Sequence, residues 1–214
     1  MIRGSGNDVA NLDMLGVAIL AGGKSSRMGT DKGLVHLNGV ALIQRIVSQV
    51  LVISPNIFVV TNRLDEYRRF GYPMVADVYP DIGPLGGLYT ALNYDKHEYT
   101  MVLSCDMPFV NQALLLHMVD IIGEYDAVVP RLRPDAKPEP LRAIYHKRCE
   151  EHMLNAITSG KRRAISFFDN IDVRYVERTE IEAIDPGIRS FFNANTPEDL
   201  LEAGEIAKYY PLIE

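Results

Sequence analysis

Short apolar runs alternate along this chain with stretches in which apolar residues repeat at helical spacing. Residues 17–21 (VAILA) form a continuous apolar run that ends at Gly22, as expected for a strand buried on both faces. Residues 99–105 (YTMVLSC) have the same character, whereas residues 40–52 carry an apolar stripe with the period of a helix. This alternation predicts an α/β domain whose mostly parallel sheet has helices on both faces.

Turn and cap residues divide the rest of the chain into further elements. Thr196 and Pro197, followed by two acidic residues, predict a helix start, because Thr caps, Pro suits the first helical position and acids complement the helix dipole. Three prolines between residues 131 and 140 predict a loop. We predict further strands at 56–61, 74–78, 126–132, 141–146 and 173–176, and helices at 64–70, 85–94, 112–122 and 147–157.

The size and charge of the chain limit its class. At 214 residues one domain is the default, and we expect residues 1–14 to be a flexible lead-in to a domain at 15–214. Asp and Glu outnumber Lys and Arg by 28 to 22, which argues against nucleic-acid binding. Without a signal peptide or a long apolar run, and with two cysteines, we expect a cytoplasmic protein that binds no membrane. Cys105 lies in an apolar run and is expected to pack rather than react.

Polar residues and glycines directly follow several of the predicted strands. Gly22 and Gly23 follow the first strand, and Asn62, Asp77 and Asp106 lie at or just beyond the ends of three others. Ligands of open α/β sheets bind beyond the carboxyl ends of the strands. We therefore expect these residues to lie along one edge of the sheet and to form a ligand site.

The glycine-rich segment at residues 20–32 (LAGGKSSRMGTDK) is the most distinctive part of the chain. Its two glycines allow close backbone approach to a ligand, and Lys24, Arg27 and Lys32 supply local positive charge in an acidic chain. Exposed amides beside fixed cations suit a polyphosphate. The spacing fits neither a Walker loop nor a dinucleotide fingerprint. A tight turn with solvated basic side chains is the structural alternative.

Residues 20–32 resemble the LAGGxSxRMGxDK signature of the molybdenum cofactor guanylyltransferases. Three further segments match that family in order: Asp77 followed by residues 83–87 (GPLGG), residues 104–108 (SCDMP) and residues 192–200 (FNANTPEDL). The resemblance extends from Val17 to about Leu201. It implies a single Rossmann-like nucleotidyltransferase domain that transfers GMP from GTP to molybdenum-molybdopterin, with pyrophosphate as the leaving group.

The resemblance also implies a role for each matching residue. Lys24, Arg27 and Lys32 would hold the triphosphate, Asp106 would bind Mg²⁺ and the nucleotide, and Asn193 would lie near the metal and the acceptor. Further contacts with GTP would come from Leu20, Ala21, Gly22, Asn62 and Asp77. Structural alternatives stay open: Asp106 as a turn or capping acid, Asp77 as a solvated loop acid, and Asn195 as the start of the last helix.

Substrate choice and partners depend on the same resemblance. Gly22 and Gly23, together with the glycines of 83–87, favour a purine on steric grounds and hence GTP. The alternatives are a cytidylyltransferase of the same pathway, another small-molecule nucleotidyltransferase, or a nucleotide-binding regulator without catalysis. Residues 138–142 and 161–163 are candidates for binding the anionic pterin. Transient contacts with cofactor-biosynthesis proteins and apo-molybdoenzymes are expected.

Overall fold

The computed structural model describes residues 14–22, 31–135 and 137–209. Its strands are β1 (Leu15–Leu20), β2 (His36–Leu37), β3 (Val40–Ala41), β4 (Ile57–Val60), β5 (Met74–Val75), β6 (Tyr99–Ser104), β7 (Ala127–Arg131), β8 (Arg142–His146) and β9 (Val173–Glu177). The main sheet has seven strands in the order β5-β4-β1-β6-β8-β7-β9, and β2 and β3 form a separate hairpin.

The sheet is mostly parallel, as predicted. Strands β5, β4, β1 and β6 run parallel to one another, and β7 runs parallel to β9. Only β8 is antiparallel to both of its neighbours, β6 and β7. The central strands β1 and β6 are almost wholly buried, which explains their continuous apolar sequences.

Helices cover both faces of the sheet and bury two separate apolar cores. The helices are α1 (Leu42–Val50), α2 (Leu64–Tyr67), α3 (Pro84–Tyr94), α4 (Gln112–Asp120), α5 (Cys149–Thr158), α6 (Arg178–Ile184) and α7 (Pro197–Ile206). One core includes Ile46 of α1 and Met118 of α4, and the other includes Leu88 of α3 and Met153 of α5. None of these helices, which lie in the described part of the chain, is long and apolar enough to cross a membrane.

Several boundaries differ from those predicted. The helix predicted over 40–52 begins at Leu42, because Val40 belongs to a hairpin whose turn, Asn38 and Gly39, has the positive φ angles of a tight two-residue turn. The strand predicted over 74–78 ends at Val75, and a loop follows it. Helix α6 was not predicted; only one of its side chains, Ile181, is buried, so its apolar pattern is weak.

The last helix begins as the sequence predicts. Thr196 is the N-cap of α7: its side chain accepts a hydrogen bond from Asp199 N (3.1 Å), and Asp199 Oδ2 accepts one from Thr196 N (2.8 Å). This reciprocal capping box fixes the entry of the chain into α7. Ala194 and Ala203 pack with Phe109 in a small third core, which holds the C-terminal segment against the residues that follow β6.

Candidate active site

A cleft of about 680 Å³ opens at the carboxyl ends of the parallel strands. Five of the residues predicted to contact the nucleotide line this cleft: Leu20, Ala21, Gly22, Asn62 and Asp77. The predicted contacts outside this set are Asp106 and the basic residues. Ser104, at the end of β6, lines the same cleft. The volume lies within the range of sites for small ligands. Gly22, Asn62 and Asp77 therefore cluster at one sheet edge as expected, whereas Asp106 does not line the cleft and Gly23 lies outside the described residues.

Asn62 and Asp77 form one hydrogen-bonded network at the wall of the cleft. Asp77 N donates to Asn62 Oδ1 (2.9 Å), and Asp77 Oδ1 accepts from Tyr79 N (2.9 Å) and Thr90 Oγ1 (3.0 Å). Because Thr90 belongs to α3, the carboxylate ties the loop after β5 to that helix. Asp77 is thus an anchored group and not the solvated loop acid that was the structural alternative.

The N-terminus of α3 opens into the cleft. Gly83 is its N-cap with φ 76° and ψ −145°, a conformation that a side chain would strain, and both Gly83 and Pro84 line the cleft. A Cβ atom at Gly86 would lie 2.5 Å from the carbonyl oxygen of Tyr79, so the loop packs directly on the helix backbone. Pro84 contributes no N–H, and the amide of Gly86 donates to Gly83 O (2.9 Å), so it is the positive end of the helix dipole that favours an anionic ligand here.

Asp106 follows β6 in a tight turn beside the cleft. Ser104 Oγ donates to Asp106 Oδ1 (2.6 Å), and the Lys32 ammonium lies 3.4 Å from Asp106 Oδ2. Helix α4 is capped by the side chain of Asn111, which accepts from Leu114 N (3.0 Å). Asp106 is therefore not needed as a helix cap, and its partly exposed carboxylate faces Lys32.

Lys32 joins the glycine-rich end of the site to the C-terminal segment. Its ammonium donates to Asn195 Oδ1, and the backbone holds the same segment in place because Ala194 N donates to Asp106 O (2.8 Å). The side chain of Asn193 instead donates to Phe191 O (3.4 Å). The structure thus brings Asn195 to Lys32 and Asp106, although the sequence favoured Asn193. Lys24 and Arg27 lie outside the described residues.

A buried carboxylate, that of Asp31, fixes the chain directly before Lys32, because it caps the short 3-10 helix that begins at Lys32. Asp31 accepts hydrogen bonds from Tyr67 Oη (2.5 Å) and Gly33 N (3.1 Å) and lies 3.6 Å from Arg63 Nε. Burial, followed by the nearby acidic groups, raises the pKa of Tyr67, so the phenol stays protonated and donates. A Cβ at Gly33 would lie 2.3 Å from Tyr67 Oη. Sequence reasoning missed this support, because nothing in the chain links residue 67 to residue 31.

The residues proposed for pterin binding are only partly placed at the site. Arg142 is wrong as a pterin ligand: it is 1% exposed, and its guanidinium donates to Met107 O and Phe109 O. Lys161 donates to Ser166 O (3.3 Å), whereas Arg162 lines the cleft and donates to Asp81 O (2.6 Å).

In the part of the chain that the structure describes, neither the two cysteines nor the potential metal ligands form a second reactive site. Cys105 is buried, and burial, followed by the charges of Asp31 and Asp106, raises the pKa of its thiol, so it packs rather than reacts. Burial likewise raises the pKa of Cys149 to about 12. Among the described residues no group of three His, Cys, Asp or Glu side chains could hold a metal ion.

The oxygens around Lys32 are suited to a hard cation that also binds phosphate. Asp106 and Asn195 each present an oxygen to the Lys32 ammonium, so the two oxygens lie around one cationic group. Mg²⁺ in nucleotide sites commonly takes one or two carboxylates and completes its shell with waters and substrate phosphates. A single carboxylate with a neighbouring amide oxygen fits that pattern.

Comparison with known proteins identifies the family. The model of the MobA-like NTP transferase domain matches residues 17–175. A probable molybdenum cofactor guanylyltransferase of Clostridium perfringens is 35% identical over 195 residues, which is 88% of this chain and 97% of that protein. The molybdenum cofactor guanylyltransferase of Vibrio cholerae is 30% identical over 192 residues, covering 88% of this chain and 90% of its own length.

Solved structures agree with these sequence matches. The molybdopterin-guanine dinucleotide biosynthesis protein A of Archaeoglobus fulgidus aligns with a TM-score of 0.77 at 28% identity, covering 90% of this chain and 98% of that one. The 2-C-methyl-D-erythritol 4-phosphate cytidylyltransferase of Thermus thermophilus shares the fold, with a TM-score of 0.65 at 15% identity over 90% of this chain and 98% of that one. The chain is a nucleotidyltransferase and belongs to the MobA-like NTP transferase family.

Proposed function

We propose that this enzyme transfers GMP from GTP to the terminal phosphate of molybdenum-molybdopterin and releases pyrophosphate. The observation that carries the proposal is the convergence of Lys32, Asp106 and Asn195 beside a cleft lined by Gly22 and the N-terminus of α3. Relatives that share about a third of its sequence over most of their length are named for this reaction. We therefore assign to this enzyme the molybdenum cofactor as acceptor and the guanylyl group as the transferred group, as in the names of those relatives.

In this proposal a nucleotide binds in the cleft with its phosphates near Gly22 and Lys32. Lys32 would neutralise phosphate oxygens, and the backbone at Ala21 and Gly22 would approach the nucleotide closely. Asn62 and Asp77, fixed to each other and to α3, would form the wall for the nucleoside. We further propose that Lys24 and Arg27, which precede Lys32 in sequence, hold the leaving pyrophosphate.

The chain needs no nucleophile of its own, because the phosphate of the acceptor is already ionised. A phosphate oxygen of the pterin attacks the α-phosphorus of GTP, and the bond to the bridging oxygen of pyrophosphate breaks. Catalysis then consists of positioning and of neutralising developing charge. Asp106, with Asn195 and Asn193 nearby, would hold Mg²⁺, which supplies Lewis-acid stabilisation of phosphate charge.

The acceptor would approach from the side of the C-terminal segment. Asn193 and Asn195 lie on that segment. Arg163, which is exposed beside the cleft residue Arg162, would be a further contact for an anionic pterin at the cleft. We also propose that the product passes to apo-molybdoenzymes by transient contact, as the reactivity of a free pterin cofactor would favour.

The experiment that tests this function measures pyrophosphate release with each of the four NTPs, with and without molybdenum-molybdopterin. We expect release only with GTP, Mg²⁺ and the acceptor together. Release that does not depend on the acceptor would point to a nucleotide hydrolase. A protein that binds GTP but releases no pyrophosphate under any of these conditions would be the nucleotide-binding regulator considered above.

A further inference from the structure

A set of buried polar side chains holds the turn that carries Asp106. The backbone oxygens of Met107 and Phe109 each accept a hydrogen bond from the guanidinium of Arg142, both at 3.1 Å. The side chain of Gln49 donates to the oxygen of Pro108 (3.2 Å) and accepts from Val110 N (3.0 Å). Each of the four residues after Asp106 thus has one backbone group, an oxygen or an amide, that is hydrogen-bonded to one of these two side chains.

These two side chains come from different elements of the fold. Arg142 lies on β8, the antiparallel neighbour of β6, and Gln49 lies near the end of α1. Arg142 is 1% exposed and Gln49 4% exposed. Burying a guanidinium is costly, and an apolar residue of similar length commonly stabilises a core as well or better. Packing alone therefore does not explain Arg142 at this position.

The same arginine also reaches the C-terminal part of the site. Its guanidinium carbon lies 5.4 Å from the centre of the Phe191 ring, just before the segment that carries Asn195. On that segment Ala194 N donates to Asp106 O. Arg142 therefore contacts both chain segments that present oxygens to Lys32, and a shift of its guanidinium would move both.

We infer that Arg142 and Gln49 are positioning residues, which set the place of the Asp106 carboxylate relative to Lys32 and Asn195. This inference rests on the role proposed above for Asp106. Neither side chain touches the cleft directly, so both act through the backbone of the turn. A site whose groups must be held to about half an ångström needs such support.

The test compares Arg142→Met and Gln49→Met, two substitutions on different elements that release the same turn while keeping most of the side-chain volume. Both should lower kcat about tenfold to a hundredfold and raise the half-saturating Mg²⁺ concentration, because small displacements of reacting groups have effects of this size. Arg142→Lys, which retains the charge but not the two-pronged geometry, should give an intermediate loss. Arg131→Met is the matched control, because Arg131 also makes an ion pair and an aromatic contact, with Glu177 and Tyr175.

A measurement without turnover separates this inference from the proposed function. Amide hydrogen exchange should quicken at the four non-proline residues of the turn, 106, 107, 109 and 110, in both Met variants and stay unchanged in Arg131→Met. If Asp106→Asn retains activity, the role of Asp106 fails whatever the exchange data show. If exchange quickens but kcat per folded molecule and the Mg²⁺ dependence stay at wild-type values, the positioning role is overturned. A failure of either Met variant to fold would overturn it for that residue and leave a purely structural role.

Discussion

At the scale of single residues, the site depends on a few polar groups that are already held by other parts of the chain. Asp106 is oriented by Ser104 and Lys32, and the chain just before Lys32 is fixed by Asp31, whose carboxylate accepts from Tyr67 and Gly33. Such groups need little rearrangement when a charged substrate arrives, which is the condition for electrostatic catalysis. Substitutions at this scale should therefore change catalysis far more than folding.

Asp106→Asn tests the carboxylate itself. The substitution keeps the shape and the hydrogen bond from Ser104 but removes the charge, so turnover should fall several hundredfold, in the range of about 10²–10³ for losing a key electrostatic group. Steady-state kinetics at saturating Mg²⁺, with folding checked by circular dichroism, measures this. Near-normal turnover would reduce Asp106 to a structural turn residue.

Lys32→Ala and Asn193→Ala should separate the two ends of the site. Loss of Lys32 should weaken GTP binding without acceptor by about 1.5–3 kcal/mol, as expected for a charge-assisted contact. Asn193→Ala should leave that affinity nearly unchanged but depress turnover with acceptor. Calorimetric titration of GTP decides, with the exposed Lys208 replaced by Ala as the control. Equal weakening by both site variants would place Asn193 in the nucleotide half.

At the scale of secondary-structure elements, the start of α3 and the loop before it form one wall of the cleft. Two adjacent glycines of this helix have different surroundings. A Cβ at Gly86 would lie 2.5 Å from the backbone oxygen of Tyr79, whereas one at Gly87 would lie 3.5 Å from Leu20 Cδ1, an ordinary contact. Only Gly86 is therefore required by the packing of the loop.

Gly86→Ala and Gly87→Ala should shift stability in opposite directions. The first should lower the free energy of unfolding by about 1–3 kcal/mol, because backbone atoms cannot yield to the new methyl group. The second should raise it by up to about 1 kcal/mol, since alanine favours a helix over glycine. Urea unfolding of both variants measures the difference. Equal effects would mean that the loop does not rest on the helix as described.

How much could be predicted differs between elements and site. Continuous apolar runs located β1 and β6, and the apolar residues of 112–122 located α4, each to within two residues, because burial against the sheet dictates those patterns. The two-residue turn at Asn38 and Gly39 carried a recognisable hairpin signal that was overlooked. The contact of Asn195 with Lys32 and the support by Tyr67 were beyond sequence reasoning, since both join residues far apart in the chain. A basic residue at the start of the apolar run of β8 was the available signal for Arg142.

At the scale of the whole molecule, the sheet separates two cores that each contain one free cysteine. Cys105 belongs to the core on the α1 side and Cys149 to the core on the α3 side. Burial raises the pKa of both thiols, so neither supplies thiolate at neutral pH. The two thiols therefore report on the integrity of both faces of the sheet.

Both cysteines should resist alkylation in the native protein and become reactive together. At pH 8 we expect labelling at least about a hundredfold slower than in the unfolded chain, because reaction requires opening of a core. Mass spectrometry after pulses of a thiol reagent along a urea gradient resolves the two sites. Exposure of one cysteine well before the other would contradict a molecule that unfolds as one unit.

The most direct test of the proposed reaction places GTP and CTP in competition at equal concentration, with Mg²⁺ and molybdenum-molybdopterin, and weighs the dinucleotide products by mass spectrometry. Small residues, Gly22 and the glycines at the start of α3, line the cleft, and we expect them to leave room for a purine. The guanine dinucleotide should therefore exceed the cytosine dinucleotide at least about tenfold. This ratio corresponds to about 1.4 kcal/mol of differential transition-state binding. Equal or greater formation of the cytosine dinucleotide would contradict guanylyl transfer as the activity of this enzyme.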